Sequence, residues 1–248
     1  MIISLAVGAI ALGLFIWRQL HLQKEDDALM DMRVFRSSNF SLSIAQMGLL
    51  SVAFFGTLTV LPLYMQAVLG VSALQTGLVA LPGALVMGFT GPLIGRIYDR
   101  WGTRVLLIPG SIIAAGALWY FTTFDENTSI WVVAIGQTIL SLGLAMSFTP
   151  LFTASLGSLR PKLYSHGSAV VGTVQQVAGA AGIALMIAVM SAVTASAAQS
   201  GASLAEAGAA GAHAAFLLAA IVSLPLLVGA FFIRKPADDQ DAVPFAGH

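Results

Sequence analysis

The sequence predicts an all-α integral membrane protein with seven transmembrane helices. Of its 248 residues, 58% are hydrophobic and only 9% are charged, with a mean hydropathy of +0.90. A soluble domain carries about a quarter charged residues, so most of this surface must face lipid. Seven apolar segments also approach the roughly 20 residues that a helix needs to cross the hydrocarbon core, and basic residues fall only in alternate connections between them.

The predicted spans share a high content of Gly, Ala and Ser, which lets membrane helices pack closely against one another. Several contain an internal proline, which a membrane bundle tolerates because neighbouring helices satisfy the freed carbonyl. The seven spans are residues 2–17, 41–68, 76–95, 105–122, 130–152, 167–192 and 212–233.

The basic residues set the predicted orientation, because Lys and Arg concentrate in cytoplasmic connections. The connections after the second, fourth and sixth spans contain Asp125, Glu126 and Glu206 but no basic residue. We therefore expect a multi-pass protein of the plasma or inner membrane, with Met1 outside and the C-terminus in the cytoplasm. The eleven basic residues are Arg18, Lys24, Arg33, Arg36, Arg96, Arg100, Arg104, Arg160, Lys162, Arg234 and Lys235.

The domain organisation follows from these spans. Residues 1–17 form the first span, 18–40 a charged cytoplasmic linker with a short surface helix near 28–35, and 41–233 a six-helix membrane domain. The Ala/Gly/Ser-rich external connection 197–211 and the tail 234–248 lack the apolar content to fold alone, so the tail is predicted to be disordered. An external N-terminus, an uneven span count and a short first span lead us to expect a piece of a longer protein.

Composition excludes several classes of function. A net charge of zero gives no electrostatic basis for binding nucleic acid. The chain has no cysteine, which rules out disulfides, thiol catalysis and Cys-based metal sites. No span carries a nucleophile with a base or a cluster of metal ligands, so an enzyme is the least supported class.

Glutamines mark the predicted binding cavity, because polar groups within a membrane usually face the bundle interior or a wet cavity. The first, fourth and seventh spans have none. We therefore predict that the second, third, fifth and sixth spans enclose a polar cavity, with the fourth and seventh packed outside them. The glutamines are Gln46 and Gln66 on the second span, Gln75 on the third, Gln137 on the fifth, and Gln175 and Gln176 on the sixth.

The sixth span carries one small and polar helical face, and that face has two interpretations. Its members are Ser168, Gly172, Gln175, Gly179, Gly182 and Met186, spaced three or four residues apart. Small residues there can serve helix packing alone, or the face can line the cavity. Adjacent Gln175 and Gln176 cannot point the same way, so we expect Gln175 to pack and Gln176 to reach the cavity.

Two other polar side chains also have alternative roles. Tyr64 can stack with an apolar or cationic ligand or anchor the helix at the membrane interface. Gln137 can face the cavity or bond to another helix. No Asp, Glu, Lys or Arg lies in the middle of a span, so the sequence offers no obvious proton-relay residue.

The connection after the third span carries the most specific motif. It reads Gly95-Arg96-Ile97-Tyr98-Asp99-Arg100-Trp101-Gly102-Thr103-Arg104. Glycines allow a tight turn there, and Asp99 can pair with Arg100, Arg104 or a neighbouring helix end. The motif resembles the cytoplasmic loop signature of the major facilitator superfamily, in which Gly95, Asp99, Arg100, Gly102 and Arg104 would form a conformational switch loop.

Further stretches resemble the fourteen-span drug/proton antiporter family of that superfamily, and its lincomycin-resistance type in particular. They are residues 31–36, Asn39-Phe40, 61–66 with Leu69-Gly70, Gly77-Leu78, Leu81-Pro82, and Gly167-Ser168 through Gln175-Gln176 to Gly182. The resemblance implies one linker helix followed by a complete six-helix C-domain. It also implies a missing N-terminal half that carries the proton-coupling acid, and a central cavity lined by the second, third, fifth and sixth spans. The side chains that we predict to line that cavity are Gln46, Tyr64, Gln66, Gln137, Gln175 and Gln176.

The expected function is therefore proton-driven export of small amphipathic drugs by alternating access, powered by a proton gradient and needing no cofactor. Some members carry an acid in the span that corresponds to the third span here. This chain has none, so monovalent or neutral compounds are favoured over divalent cations. The alternatives are a specific metabolite or lipid transporter of the same superfamily, and a truncated fragment that does not transport.

Overall fold

The computed structural model describes residues 31–233, together with residues 8, 10, 11, 13, 14, 17 and 18, which are helical. Six long helices make up most of this part, and they correspond to the second to seventh predicted spans. The first predicted span, the linker before residue 31 and the tail 234–248 lie largely or wholly outside the described residues. The helices are α1 (Ser38–Ala67), α2 (Ala73–Trp101), α3 (Thr103–Phe121), α4 (Ile130–Gly157), α5 (Tyr164–Gln199) and α6 (Leu204–Ala230).

All six helices are long and apolar enough to cross a membrane. The prediction of an all-helical, multi-pass membrane protein is therefore confirmed for these six helices. The linker helix, which is the first of the seven predicted spans, stays a prediction. Basic residues lie at the starts of α1, α3 and α5 and at the ends of α2 and α4. The predicted orientation makes this the cytoplasmic end of the bundle and the opposite end the outer one.

Serine caps begin three of the helices. The Ser37 hydroxyl accepts a hydrogen bond from the Phe40 amide at the start of α1, and Ser72 forms a reciprocal capping box with Gln75 at the start of α2. Such caps satisfy amide groups that the first turn of a helix leaves without a partner. Before α1, a 3-10 helix (Met32–Arg36) occupies the linker, close to the surface helix predicted near 28–35.

The predicted connection at 197–211 is wrong, because most of it is helical. Helix α5 continues to Gln199, and α6 begins at Leu204, so only a short turn separates them. Alanine has the highest helix propensity, and Ser203 with Glu206 forms a capping box that starts α6. The low hydropathy of the segment suggested a loop, but its alanines and the serine–glutamate spacing favour a helix.

Helices α1–α3 and α4–α6 form two three-helix halves whose contacts match in part. Helices α1 and α4 meet at the centre; α5 packs mainly against α1 and α6, and α2 packs mainly against α4. Helices α3 and α6 lie behind the central pair and contact each other. Because each half has three membrane helices, the second half crosses the membrane in the opposite direction to the first. This is the arrangement of an inverted repeat.

Glycines bring the central helices to backbone contact. A Cβ on Gly182 of α5 would lie 2.7 Å from the Cα of Val52 on α1, and one on Gly143 of α4 would lie 2.6 Å from the amide nitrogen of Ala114 on α3. No real side-chain carbon fits at such distances, so these two contacts require glycine. Van der Waals contact of this kind, rather than a hydrophobic driving force, holds membrane helices together.

Two helices leave most of their surface uncovered. In the most apolar stretches of α2 and α5 only 17% of the residues are buried, against 44% to 56% in the other four. Both helices flank the central pair. The uncovered surface beside α1 and α4 contains the pockets of the candidate site.

Candidate functional site

An aromatic pocket of about 400 Å³ lies on this uncovered face, at mid-length of α1 and α2 and in the cytoplasmic half of α4 and α5. Helices α1, α2, α4 and α5 all contribute to it, and these are the four helices that the glutamines singled out. Its lining residues are Phe54, Phe55, Met87, Phe148, Thr149, Phe152, Thr153 and Gln175. The pocket thus has an apolar, aromatic wall with a few polar groups, the usual composition of a small-molecule site.

Helix spacing and packing place these side chains. Phe148 and Phe152 are one turn apart on α4, and the Phe148 ring packs edge-on against Phe54 with 5.8 Å between centroids. The Phe55 ring lies beside Gly179 of α5, where a Cβ would be 2.7 Å from it. This contact draws α5 close to α1, so that Gln175, one turn before Gly179, reaches the pocket.

A second pocket, of about 290 Å³, opens in the outer half between α1, α2 and α4. Its wall is apolar apart from Thr76 and Gln137. The Gln137 side chain is only 7% exposed, and its Oε1 is buried without a hydrogen-bond partner in the described part of the protein. A buried carbonyl oxygen without a partner is costly. Gln137 also lines the pocket, so a rotation of its amide would present a hydrogen-bonding group to a bound molecule.

Gln46 and Tyr64, both expected in the cavity, lie in helix-packing contacts instead. The Gln46 amide is 5% exposed and donates to the Pro225 carbonyl of α6 at 3.0 Å. The Tyr64 hydroxyl donates to the Asp125 carbonyl at 2.6 Å, and its fully buried ring stacks on Phe124. Residue type alone could not show which way these side chains turn, and both turn into the bundle.

Gln66 and Gln176 are exposed and line neither pocket. The small and polar face of α5 divides in two. Its outer part packs on α1 through Gly179, Gly182 and Met186, whereas a Cβ on Gly172 would meet no atom within 4 Å. Gln175 lies at the boundary and lines the aromatic pocket, and Gln176 is exposed, so neither glutamine lies where we expected it.

The sequence analysis missed every residue of the aromatic pocket except Gln175. Phenylalanine in a membrane span usually contacts lipid or other helices, so its presence alone is no signal. A usable signal exists on α4, where Phe148, Thr149, Phe152 and Thr153 repeat an aromatic–hydroxyl pair one turn apart.

The predicted switch loop consists of a single residue, Gly102, between two helices, and we call this connection the α2–α3 joint. Helix α2 ends at Trp101, α3 begins at Thr103, and Gly102 between them has φ +81°, a backbone conformation that favours glycine. Gly95, by contrast, is inside α2 with open space where a Cβ would be. The joint therefore requires Gly102 but not Gly95.

The charged residues of this joint are not paired as expected. Arg104 donates to the Phe231 and Ile233 carbonyls at the end of α6, at 2.9 and 3.3 Å. The Arg100 guanidinium lies 5.7 Å from the centre of the Trp101 ring. Asp99 is exposed and forms no ion pair with any described residue, because both arginines are directed elsewhere.

Comparison with known proteins agrees with this architecture. Residues 1–183 match the family model of the Major Facilitator Superfamily. The chain is 40% identical over 189 residues to the lincomycin resistance protein LmrB of Listeria monocytogenes, covering 76% of this chain and 40% of that protein.

Two Bacillus subtilis proteins match nearly the whole chain. The uncharacterized MFS-type transporter YcnB is 40% identical over 98% of this chain and 50% of its own length. LmrB of the same organism is 33% identical over 96% of this chain and 50% of its own length. The chain thus spans about half the length of the curated relatives it matches, and it belongs to the Major Facilitator Superfamily, a family of transporters rather than enzymes.

Proposed function

We propose that this chain forms the C-terminal, substrate-binding half of a proton-coupled exporter of small amphipathic drugs. The aromatic pocket carries the proposal. It lies at mid-length of α1 and α2, in the cytoplasmic half of α4 and α5, and all four helices contribute side chains to it. Secondary transporters bind their substrates near the bilayer midplane between two such repeats.

The chemistry of the two pockets favours amphipathic substrates. Phenylalanine rings offer apolar area to a drug and can contact a cationic group through their π faces. Gln175 and Gln137 are the amide side chains that line the two pockets. Neither pocket is lined by an acidic or basic residue, which favours neutral or monovalent compounds over divalent cations. Relatives named for lincomycin and multidrug resistance support a drug substrate.

A missing N-terminal half completes the proposed transporter. The sequence has no Asp or Glu between Asp31 and Asp99 or between Glu126 and Glu206, so we assign the proton-coupling acid to that other half. The uncovered surfaces of α2 and α5 would face it across the cavity. Rocking of the two halves would then expose the pockets to each side of the membrane in turn.

Asp99 supports the idea of a switch at the α2–α3 joint. A carboxylate near the C-terminal end of a helix opposes the helix dipole and costs about 0.3–1 kcal/mol. Since no described residue forms an ion pair with that carboxylate, a contact with the other half in one transport state is the role we assign to it.

A transport assay tests the proposal. The chain is expressed with its N-terminal half in a host lacking related pumps, and extrusion of cationic dyes and lincosamides is followed with and without a protonophore. We expect Phe148→Ala to reduce extrusion several-fold at normal protein level, whereas Phe232→Ala, at an exposed position away from both pockets, leaves it unchanged. Equal rates in both variants would refute the assignment of the aromatic pocket. Extrusion of a single metabolite or lipid but no drug would favour the alternative substrate class.

A further inference from the structure

Four basic side chains converge on a pocket at the cytoplasmic end of the bundle. Arg33 and Arg36 come from the 3-10 helix before α1, and Arg160 and Lys162 come from the connection between α4 and α5. The pocket has a volume of about 480 Å³. The fold therefore brings together two basic segments that are far apart in the sequence.

Most of this positive charge is not neutralised by the described residues. The Arg33 guanidinium pairs with Asp31, with 3.1 Å between Nε and Oδ2. Within the described part of the chain, no carboxylate pairs with Arg36, Arg160 or Lys162. Cations gathered around one cavity produce a positive potential that attracts an anion.

The rest of the pocket indicates what kind of anion would bind. Leu159 and Leu163 form an apolar part of its wall. Phe35 and Tyr164 lie in the same two segments and are 42% and 43% exposed, as is typical of aromatic residues at the level of lipid headgroups. A soluble phosphate would contact only the cations. A phospholipid would contact the cations through its phosphate and the leucines and neighbouring aromatic residues through its apolar part.

We propose that this pocket binds the phosphate of an anionic phospholipid from the cytoplasmic leaflet, such as phosphatidylglycerol. The headgroup would bridge the 3-10 helix and the α4–α5 connection, and would hold the start of α1 next to the start of α5. Basic pockets on the cytoplasmic side of membrane proteins are suited to such headgroups. The proposal concerns lipid binding alone and does not depend on the transported substrate.

Native mass spectrometry of the full chain, with lipid added to delipidated protein, tests this directly. The probes are phosphatidylglycerol, phosphatidylcholine and soluble glycerol phosphate. The pocket variant is Arg160→Gln with Lys162→Gln. The control variant is Arg96→Gln with Arg100→Gln, which removes the same charge from another cytoplasmic connection. We expect the pocket variant to raise the Kd for phosphatidylglycerol by roughly 30-fold, because each of the two interfacial cations contributes about fivefold. The control variant should change that Kd less than threefold.

Each other outcome would overturn the proposal. Equal weakening in both variants would mean general attraction to a basic surface, and equal binding of phosphatidylcholine would mean no recognition of net charge. Glycerol phosphate binding as tightly as the lipid would identify a site for soluble anions. Should the double variant fail to fold, Arg36→Gln removes a cation from the opposite wall, and unchanged lipid binding in that variant would equally contradict the site.

Discussion

Gln137 and Gln46 form a matched pair that separates a ligand-facing amide from a structural one. Both are buried glutamines on the two central helices, 7% and 5% exposed. Gln46 donates to the Pro225 carbonyl, whereas the Gln137 oxygen has no partner among the described residues. Methionine is the appropriate replacement for both, because it keeps an unbranched side chain of similar length and removes only the amide.

The two substitutions should change stability in opposite directions. An unsatisfied buried acceptor costs about 1–3 kcal/mol, and an apolar group of similar shape avoids that cost. Gln137→Met should therefore leave the free energy of unfolding unchanged or raise it by about 1 kcal/mol. Gln46→Met loses an interhelical hydrogen bond, which averages about 0.6 kcal/mol in a membrane bundle and reaches about 1.7, so it should lower stability.

Of the two substitutions, Gln137→Met should have the larger effect on transport. If the Gln137 amide bonds to the substrate, losing one neutral hydrogen bond should raise KM by at most roughly tenfold, and Gln46→Met should leave KM unchanged. Thermal unfolding in detergent gives the first comparison and dye extrusion by the complete transporter gives the second. A loss of stability in Gln137→Met as large as that in Gln46→Met would show that Gln137 has a structural partner, and would refute the argument.

Three further predictions have clear expected outcomes. Asp99→Asn should lower the transport rate without lowering thermal stability, because the exposed carboxylate has no ion pair within the described residues; a normal rate would leave the joint only a topological role. Gly182→Val should lower stability by about 1–3 kcal/mol or prevent expression, whereas Gly172→Val, where the space is open, should be tolerated; similar expression of the two would contradict the close α1–α5 contact. Residues 1–248 alone should confer no proton-dependent dye extrusion in a host lacking related pumps, and extrusion by this chain alone would refute the two-half proposal.

The helices themselves can be predicted from composition because lipid imposes a strong constraint on length and polarity. Hydropathy places the starts of α2 and α6 too late, because it measures apolar content and does not register the polar residues that cap a helix. Ser72 with Gln75 and Ser203 with Glu206 begin these helices before the apolar stretch begins. Capping boxes are visible in the sequence, so these two starts are predictable from it.

The orientation of individual side chains cannot be predicted in the same way. A glutamine within the membrane must find a partner or a wet surface, and its sequence position does not decide which. Gln46 reaches the Pro225 carbonyl because Gly229, one turn further along α6, leaves room for its amide. That room depends on a contact between helices distant in sequence. Phe54 and Met87 are missed because nothing in an isolated apolar residue distinguishes a pocket wall from a lipid contact.

Cysteine labelling of α5 decides which of its two glutamines faces the substrate pathway. Gln175 lines the aromatic pocket beside Phe55, whereas Gln176 is exposed and lines neither pocket. The native chain has no cysteine, so a single introduced thiol reports on one position. In the complete transporter, with any cysteine of the N-terminal half replaced by serine, a cysteine at 175 should react with a water-soluble maleimide, and a bound drug should slow that reaction several-fold by covering the pocket. A cysteine at 176 should show no such protection, because its neighbour on the helix points about 100° away. Protection at 176 but not at 175 would mean that α5 is rotated relative to this structure, and the aromatic pocket would then lose its polar wall.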